Sequence, residues 1–291
     1  MKYQDLLKEQ YTQFLYTLYS YPQGYRFLVK NKLWSGFWKY SWASWFMVGV
    51  AIILGVSMID PLMDVFRRTD TSDPLVAMST MGSQLVNFVE KEVDFLTNGS
   101  MRYLMLILLE IIIFHVCRRT LEVLVDKKAD STMRAFIGAQ VRMIKVAFFC
   151  YGMEMAFGFM VKGLFGMFDI FTFVVPVLLF LSKVFFMGFA VFDNYVEQFQ
   201  FSIQESFRYS KEFIGVSIGV GLVLHLFFMV PLVGPLVAPF LAAVTVTIVM
   251  VELTTVHIHG KPVYVIKQKK QKLKQKKKTG RKEVELGEDY V

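Results

Sequence analysis

The sequence contains few charged residues, only two cysteines and none of the common short catalytic motifs. Charged side chains make up 19% of the 291 residues and hydrophobic ones 55%, whereas an average soluble domain has about 25% charged and about 45–50% apolar residues. Two cysteines exclude a disulfide-rich scaffold. There is no glycine-rich phosphate loop, no CxxC pair and no GxSxG sequence. We therefore expect neither an enzyme nor a bound metal or cofactor.

What the sequence has instead is long apolar runs, which predict an integral membrane protein. The first run, Tyr40–Ile59, contains no charged residue, and as a helix it would extend about 30 Å, the thickness of a hydrocarbon core. Four tryptophans cluster at its N-terminal end, as is typical of a membrane interface. The second run, Tyr103–Cys117, reaches membrane thickness only if its helix continues through two arginines to Val125. We predict that these two runs are long spans.

Two longer apolar regions predict helical hairpins. The third region, Val146–Phe192, is too long for one crossing, and a break at Gly163 and Gly166 indicates two helices. The fourth, Phe213–Val251, contains no Lys, Arg, Asp or Glu, and as one helix it would extend roughly 58 Å. The proline-rich segment Pro231–Pro239 near its middle predicts a non-helical apex at which the chain turns back.

The predicted fold is an all-α membrane protein with two long transmembrane helices, two partly penetrating helical hairpins and amphipathic interfacial helices. One helical membrane domain covers residues 1–260. Apolar residues at helical spacing predict a surface helix over Tyr3–Leu18, which Pro22 and Gly24 would end. Lys and Arg are concentrated in segments 1–39 and 118–145, and acidic residues in segment 60–100. By the positive-inside rule, both termini are therefore cytoplasmic.

The last segment, 261–291, differs in composition from the rest of the chain. Lys267–Lys278 contains eight lysines, and four acidic residues follow it. Such a run repels itself, which predicts a disordered cytoplasmic tail. Each lysine near an anionic leaflet contributes about 1 kcal/mol, so we expect this tail to bind anionic lipid headgroups. We expect no specific nucleic-acid partner.

Ionisable residues within or beside the apolar runs are candidates for function because they are costly in a membrane. The polar candidates are Glu110, His115, Glu154 and His225, and Lys162, Asp169 and Lys183 also lie inside the third run. Two interpretations stay open for them: opposite charges that pair across helices as structural contacts, or a polar path or proton relay. A basic helix face precedes the third region, and either headgroup attraction or anion binding would explain it. Its members are Arg134, Arg142 and Lys145.

The stretch Gly188–Glu197 resembles the signature of the CysZ-like sulfate-permease family, which includes the eukaryotic etoposide-induced proteins. That signature ends a membrane hairpin and is followed by an amphipathic segment, here Phe201–Phe207. The signature residues are Phe192, Asp193, Tyr195 and Glu197. A glycine-rich arm, a Pro-Gly-Pro turn and a small-residue arm come next in the family. The similar residues here are Gly215, Gly219 and Gly221, then Pro231, Gly234, Pro235 and Pro239, then Ala242–Thr245.

The resemblance implies a homo-oligomer in the bacterial inner membrane that takes up sulfate or another small inorganic anion. The broken backbone of the apex would shape the anion path, and the basic face would gather anions on the cytoplasmic side. The candidate path residues are Arg134, Arg142, Lys145, Pro231, Gly234, Pro235 and Pro239. The family's Gly-Leu-Arg motif before the first span is replaced here by Lys32–Trp34. This departure favours the alternative, a non-transporting membrane scaffold whose basic tail binds lipids or a partner.

Overall fold

The structure is a computed structural model that describes residues 3–35, 99–126, 133–165, 173–230 and 233–259. Within these ranges the chain is all-α, as predicted, with eight helices and no strand. The helices are α1 (Tyr3–Lys30), α2 (Gly99–Val125), α3 (Met133–Phe165), α4 (Val174–Glu197), α5 (Ile203–Ser210), α6 (Ile214–Phe228), α7 (Val233–Leu253) and α8 (Val256–His259). The predicted first span, Tyr40–Ile59, and the tail, 261–291, lie outside the described residues.

Two of the described helices are long and apolar enough to cross a membrane: Ile137–Phe165 of α3 and the whole of α4. They are the two helices predicted for the third apolar region, but the predicted break at Gly163 is wrong because α3 continues through it to Phe165, and Gly166 lies outside the described residues. Only 22% and 39% of their most apolar stretches are buried within the protein. Most of this apolar surface faces outward, as expected of helices surrounded by lipid rather than water.

Helix α2 corresponds to the second predicted span, and it continues through both arginines to Val125 as predicted. Arg118 and Arg119 each form an ion pair with Glu122, at 3.7 and 2.9 Å. These i,i+4 and i,i+3 pairs stabilise the helix where the apolar run ends. With five charged residues, α2 is less apolar than α3 and α4, and most of its middle is buried by other helices.

The fourth apolar region forms the two predicted arms, α6 and α7, which pack against each other. The prediction that Pro231–Pro239 is entirely non-helical is wrong, because α7 begins at Val233 and contains Pro235 and Pro239. Pro235 lies in the first helical turn, where backbone N–H groups have no intrahelical acceptor, so its missing donor costs little. Only Pro239 removes an internal hydrogen bond. Helix α6 ends at Phe228 and α7 begins at Val233.

Helix α5 lies across the start of α6, and the two are bent by 99°. Its first turn is fixed by a capping box in which Ser202 N–H donates to Glu205 at 2.8 Å and Glu205 N–H donates to Ser202 Oγ. The reciprocal bonds satisfy two backbone donors that would otherwise lack partners. This element is the amphipathic segment expected after the signature residues.

Helices α4 and α6 approach each other backbone to backbone. A Cβ added at Gly188 would lie 1.7 Å from Ser217 O, and one added at Gly221 would lie 1.9 Å from Val184 O. Both distances are far below van der Waals contact, so only glycine fits at these two positions. The close packing places the C-terminal half of α4 at the centre of the bundle, where Phe189 to Val196 are all buried.

Helix α1 continues to Lys30, so the prediction that Pro22 and Gly24 end it is wrong. Proline inside a helix removes one hydrogen bond, but α1 packs along α6 and α7, and this burial offsets the loss. Gly24 lies directly against Thr245 of α7. At the N-terminal end, Gln10 donates to Glu212 O at 3.0 Å and accepts from Gly215 N–H at 2.9 Å. These bonds join α1 to the beginning of α6.

Candidate functional site

The interface of α2, α3 and α4 contains a buried polar cluster around Arg142, which we call the arginine 142 centre. Arg142 of α3 donates from Nε and Nη2 to the two carboxylate oxygens of Asp193 on α4, at 2.8 and 2.7 Å. Its Nη2 also donates to Ser206 Oγ of α5 at 3.1 Å, and its Nη1 donates to the Phe201 carbonyl. Glu197 lies 3.5 Å from Nε. The guanidinium therefore makes a two-pronged contact with one carboxylate and lies close to a second.

This arrangement depends on the geometry of guanidinium and carboxylate. Charge-assisted, two-pronged pairs are among the strongest hydrogen bonds in proteins. Asp193 is 2% exposed and would be costly without this cation. Four of the five guanidinium N–H donors are used, because Asp193 takes two, Ser206 one and the Phe201 carbonyl one.

Glu110 of α2 extends the same centre. Asn194 Nδ2 on α4 donates to Glu110 Oε2 at 3.0 Å and to the Ala190 carbonyl at 3.2 Å. Glu110 is 1% exposed and Asn194 is 2% exposed. In the described part of the chain, Glu110 Oε1 and Asn194 Oδ1 have no hydrogen-bond partner. Unpaired buried acceptors are costly, so this pair contributes less to stability than the Arg142–Asp193 contact.

A second polar cluster, which we call the arginine 102 centre, lies farther along the same three helices. Arg102 of α2 pairs with Glu154 of α3, and Tyr103 donates its hydroxyl to Glu154 Oε2 at 2.8 Å. The Arg102 side chain is completely buried, whereas that of Glu154 is 19% exposed. The Glu154 carboxylate therefore contacts a buried guanidinium on one side and is partly exposed between α3 and α4 on the other.

The two centres lie at different depths along one interface. Arg142 and Glu154 are twelve residues apart on α3, and Lys183 and Asp193 are ten residues apart on α4. At 1.5 Å per residue these separations are about 18 and 15 Å, roughly half the thickness of a hydrocarbon core. Because α3 and α4 are antiparallel, Arg142 meets Asp193 at one level and Glu154 shares a cavity with Lys183 at the other.

That cavity opens between α3 and α4 and has a volume of about 570 Å³. Its ionisable lining residues are Glu154, Lys162 and Lys183. Its other walls are mainly aromatic and aliphatic, and they include Phe159 and Leu179. We call it the α3–α4 cavity. With Arg102 paired to Glu154 directly behind it, positive charge exceeds negative charge at this level.

The structure brings three of the four predicted intramembrane ionisable residues to these centres or near them. Glu110 belongs to the arginine 142 centre, and Glu154 to the arginine 102 centre. His225 of α6 is 3% exposed and packs edge-to-face on Phe180, which lines the α3–α4 cavity, with ring centroids 5.5 Å apart. His115 is also buried, on the last part of α2. Glu154 pairs with the cation of Arg102 across helices, whereas Glu110 accepts from the neutral amide of Asn194, and a relay stays a prediction.

The predicted anion-path residues lie in different places. Arg142 is held between α3, α4 and α5, whereas Lys145, three residues farther along α3, is exposed. Gly234 belongs to the first turn of α7, and a Cβ there would lie 1.7 Å from Phe227 O of α6. Pro239 is buried farther along α7. Pro231 and the side chains of Arg134 and Pro235 lie outside the described part.

The four signature residues all lie on the last turns of α4. Phe192 and Tyr195 are completely buried, and the Tyr195 hydroxyl lies 3.4 Å from Thr254 Oγ1. Asp193 and Glu197 face Arg142. Sequence analysis selected these residues by resemblance, and the structure gives two of them a definite electrostatic role.

Two members of the centres, Arg102 and Asn194, were not among the sequence-based candidates. Arg102 lies just before the second apolar run, which begins at Tyr103. Its partner Glu154 is 52 residues away. The sequence signal for Arg102 was a charged residue within one helical turn of an apolar run. This signal alone does not identify a buried residue unless the packing of the helices is known. Comparisons of the chain with models of protein families, with curated proteins and with solved structures found no match.

Proposed function

We propose that this integral membrane protein moves a small inorganic anion, with sulfate as the first choice, across the bacterial inner membrane. The observation that supports the proposal is the row of ionisable side chains along α2, α3 and α4. It extends from the arginine 102 centre to the arginine 142 centre, between helices apolar enough to cross a membrane. Charged side chains inside a membrane are expensive and usually mark the path of a substrate or ion.

The chemistry of the row suits an oxyanion. Each arginine holds one carboxylate, Arg102 with Glu154 and Arg142 with Asp193. A sulfate presents two oxygens to a guanidinium in the same geometry as a carboxylate does. Each arginine therefore offers an oxyanion the contact that a carboxylate now occupies. Lysine could not offer the same planar contact.

The orientation, assembly and tail contacts belong to the same proposal. Both termini lie in the cytoplasm, the protein forms a homo-oligomer, and Lys267–Lys278 binds anionic headgroups. The basic segments before the first predicted span and around residues 118–145 support this orientation. The resemblance of the last turns of α4 to the CysZ-like family supports the substrate and the assembly.

Uptake of labelled sulfate by proteoliposomes tests the proposal. We expect uptake above that of empty vesicles, and we expect Arg142→Lys to reduce it because the second prong of the contact is lost. Arg119→Gln is the matched control, because Arg119 is 44% exposed and its ion pair among the described residues, with Glu122, lies within α2. Absence of uptake by correctly inserted protein would contradict the proposal, and so would equal uptake by wild type and Arg142→Lys.

One observation favours the second candidate, a non-transporting membrane scaffold. The guanidinium of Arg142 already uses four of its five donors within the protein, as a structural pair would. A scaffold would give no sulfate uptake, yet it would still bind vesicles that contain anionic lipid through Lys267–Lys278. The two candidates therefore differ in the uptake measurement and agree in the lipid-binding measurement.

A further inference from the structure

The α3–α4 cavity contains more positive charge than its own carboxylate can balance. Glu154 is already engaged by Arg102 and Tyr103. Neither Lys162 nor Lys183 forms an ion pair with another described residue. Lys183 is half-buried, so part of its surface is removed from water without a compensating anion. A negatively charged group from outside the chain would therefore balance the charge of the two lysines in the cavity.

The walls of the cavity require an occupant that is also apolar. They are formed largely by Met155, Phe159, Leu179 and Phe180. Phe159 is 71% exposed and Phe180 is 39% exposed, so the cavity opens on the outer apolar face of the two candidate spans. An inorganic anion would balance the lysines and leave these walls uncovered, whereas an acyl chain would cover them.

The positions of the lysines along the helices agree with such an occupant. Lys162 lies three residues before the end of α3 at Phe165, and Lys183 lies nine residues after the start of α4 at Val174. At 1.5 Å per residue they are about 5 and 14 Å from the ends of their helices. Both lysines line the same cavity. A lysine side chain can extend along apolar surface, so both ammonium groups can reach one headgroup. Basic pockets between membrane helices on the cytoplasmic side bind anionic headgroups, and the same charge pairing is available to a headgroup at this opposite end of α3.

We propose that the α3–α4 cavity binds an anionic phospholipid, whose headgroup lies between Lys162 and Lys183 and whose acyl chain covers the apolar wall. The volume of about 570 Å³ is in the range of small-molecule sites, which are typically about 300–1,000 Å³. It holds a headgroup and part of one chain, and the rest of the lipid lies in the bilayer. This site goes beyond the proposed anion movement and does not require it.

Native mass spectrometry of the full-length protein in a neutral detergent tests the site, with phosphatidylglycerol as the probe. Phosphatidylcholine with the same acyl chains and inorganic sulfate are the comparison ligands. We expect one phosphatidylglycerol to be bound much more tightly than phosphatidylcholine. Replacing both cavity lysines, Lys162→Met with Lys183→Met, should weaken it about thirtyfold if each lysine contributes as it does near an anionic leaflet.

Two further variants separate lipid binding from folding and from general surface charge. Lys8→Met with Lys30→Met removes two exposed lysines outside the cavity and should leave this binding unchanged. Lys162→Arg with Lys183→Arg keeps the charge and should retain most of it. The proposal is overturned if phosphatidylcholine binds equally well or if sulfate alone displaces the bound lipid. It is also overturned if the methionine pair binds as wild type does, or if the arginine pair loses binding as the methionine pair does.

Discussion

Replacing Arg142 with methionine should destabilise the helical bundle strongly. Arg142→Met leaves Asp193, which is 2% exposed, without its two-pronged partner, and it removes the cation 3.5 Å from Glu197. Breaking a buried ion pair on one side typically costs about 3–5 kcal/mol, because the remaining charge is left uncompensated. The Arg142 side chain is 16% exposed, so water reaches the pair in part. We therefore expect a loss near the lower limit, about 3 kcal/mol.

The partner substitutions give the prediction its internal check. Asp193→Asn should cost less, about 1–3 kcal/mol, because Glu197 stays beside the guanidinium and the amide keeps one acceptor. Arg142→Met combined with Asp193→Leu should be more stable than the sum of the two single losses predicts, because an apolar pair replaces both charges. The difference measures the energy of the contact itself.

The measurement is equilibrium unfolding of the purified protein in mixed micelles of a neutral detergent and dodecyl sulfate, followed by circular dichroism. Arg119→Met is the matched control, since Arg119 pairs with Glu122 at 2.9 Å but is 44% exposed. An exposed pair of this kind contributes less than about 0.5 kcal/mol. If Arg142→Met loses no more free energy of unfolding than Arg119→Met, the structural importance of the arginine 142 centre is refuted.

Three further predictions concern packing, the N-terminal helix and the tail. Gly188→Ala should cost about 3 kcal/mol because its Cβ would lie 1.7 Å from a backbone oxygen of α6, whereas Gly152→Ala, with open space around it, should be neutral in the same unfolding measurement. Gln10→Ala removes both bonds to the start of α6 and should speed amide hydrogen exchange in α1. Thr12→Ala should not, because the Thr12 hydroxyl donates to the Lys8 carbonyl within α1. Deleting Lys267–Lys278 should leave the free energy of unfolding unchanged and reduce the amount of protein that sediments with anionic vesicles. Loss of membrane insertion on this deletion would contradict the prediction.

The elements of the fold were largely predictable because they follow local patterns. The third apolar region predicted two helices, and the structure has them as α3 and α4, although α3 starts before that region and continues through Gly163. The prolines were harder, because their effect depends on position within a helix. Pro235 falls in a first turn, where it is tolerated, and Pro22 lies inside a helix stabilised by its neighbours.

The candidate site was less predictable because it depends on contacts between distant residues. Arg142 and Asp193 are separated by 51 positions, and Arg102 and Glu154 by 52. No local spacing relates such residues, and only the antiparallel packing of α2, α3 and α4 brings them together. Individual members such as Glu110 were recognisable as charges in apolar runs, but their partners were not.

The crossing of the bilayer by α3 is the central claim, since both the anion path and the lipid site depend on it. Gly138, Gly152 and Gly163 suit single-cysteine labelling, because a Cβ at each has open space around it. The outer two are separated by about 37 Å along the helix, more than a hydrocarbon core. The native Cys117 and Cys150 are completely buried and should give no background.

The measurement is labelling with a membrane-impermeant maleimide in sealed vesicles of known orientation. We predict that Gly138→Cys reacts only from the cytoplasmic face, Gly163→Cys only from the opposite face, and Gly152→Cys from neither. Reaction of the two outer positions from the same face, or ready reaction of Gly152→Cys, would contradict a crossing by α3.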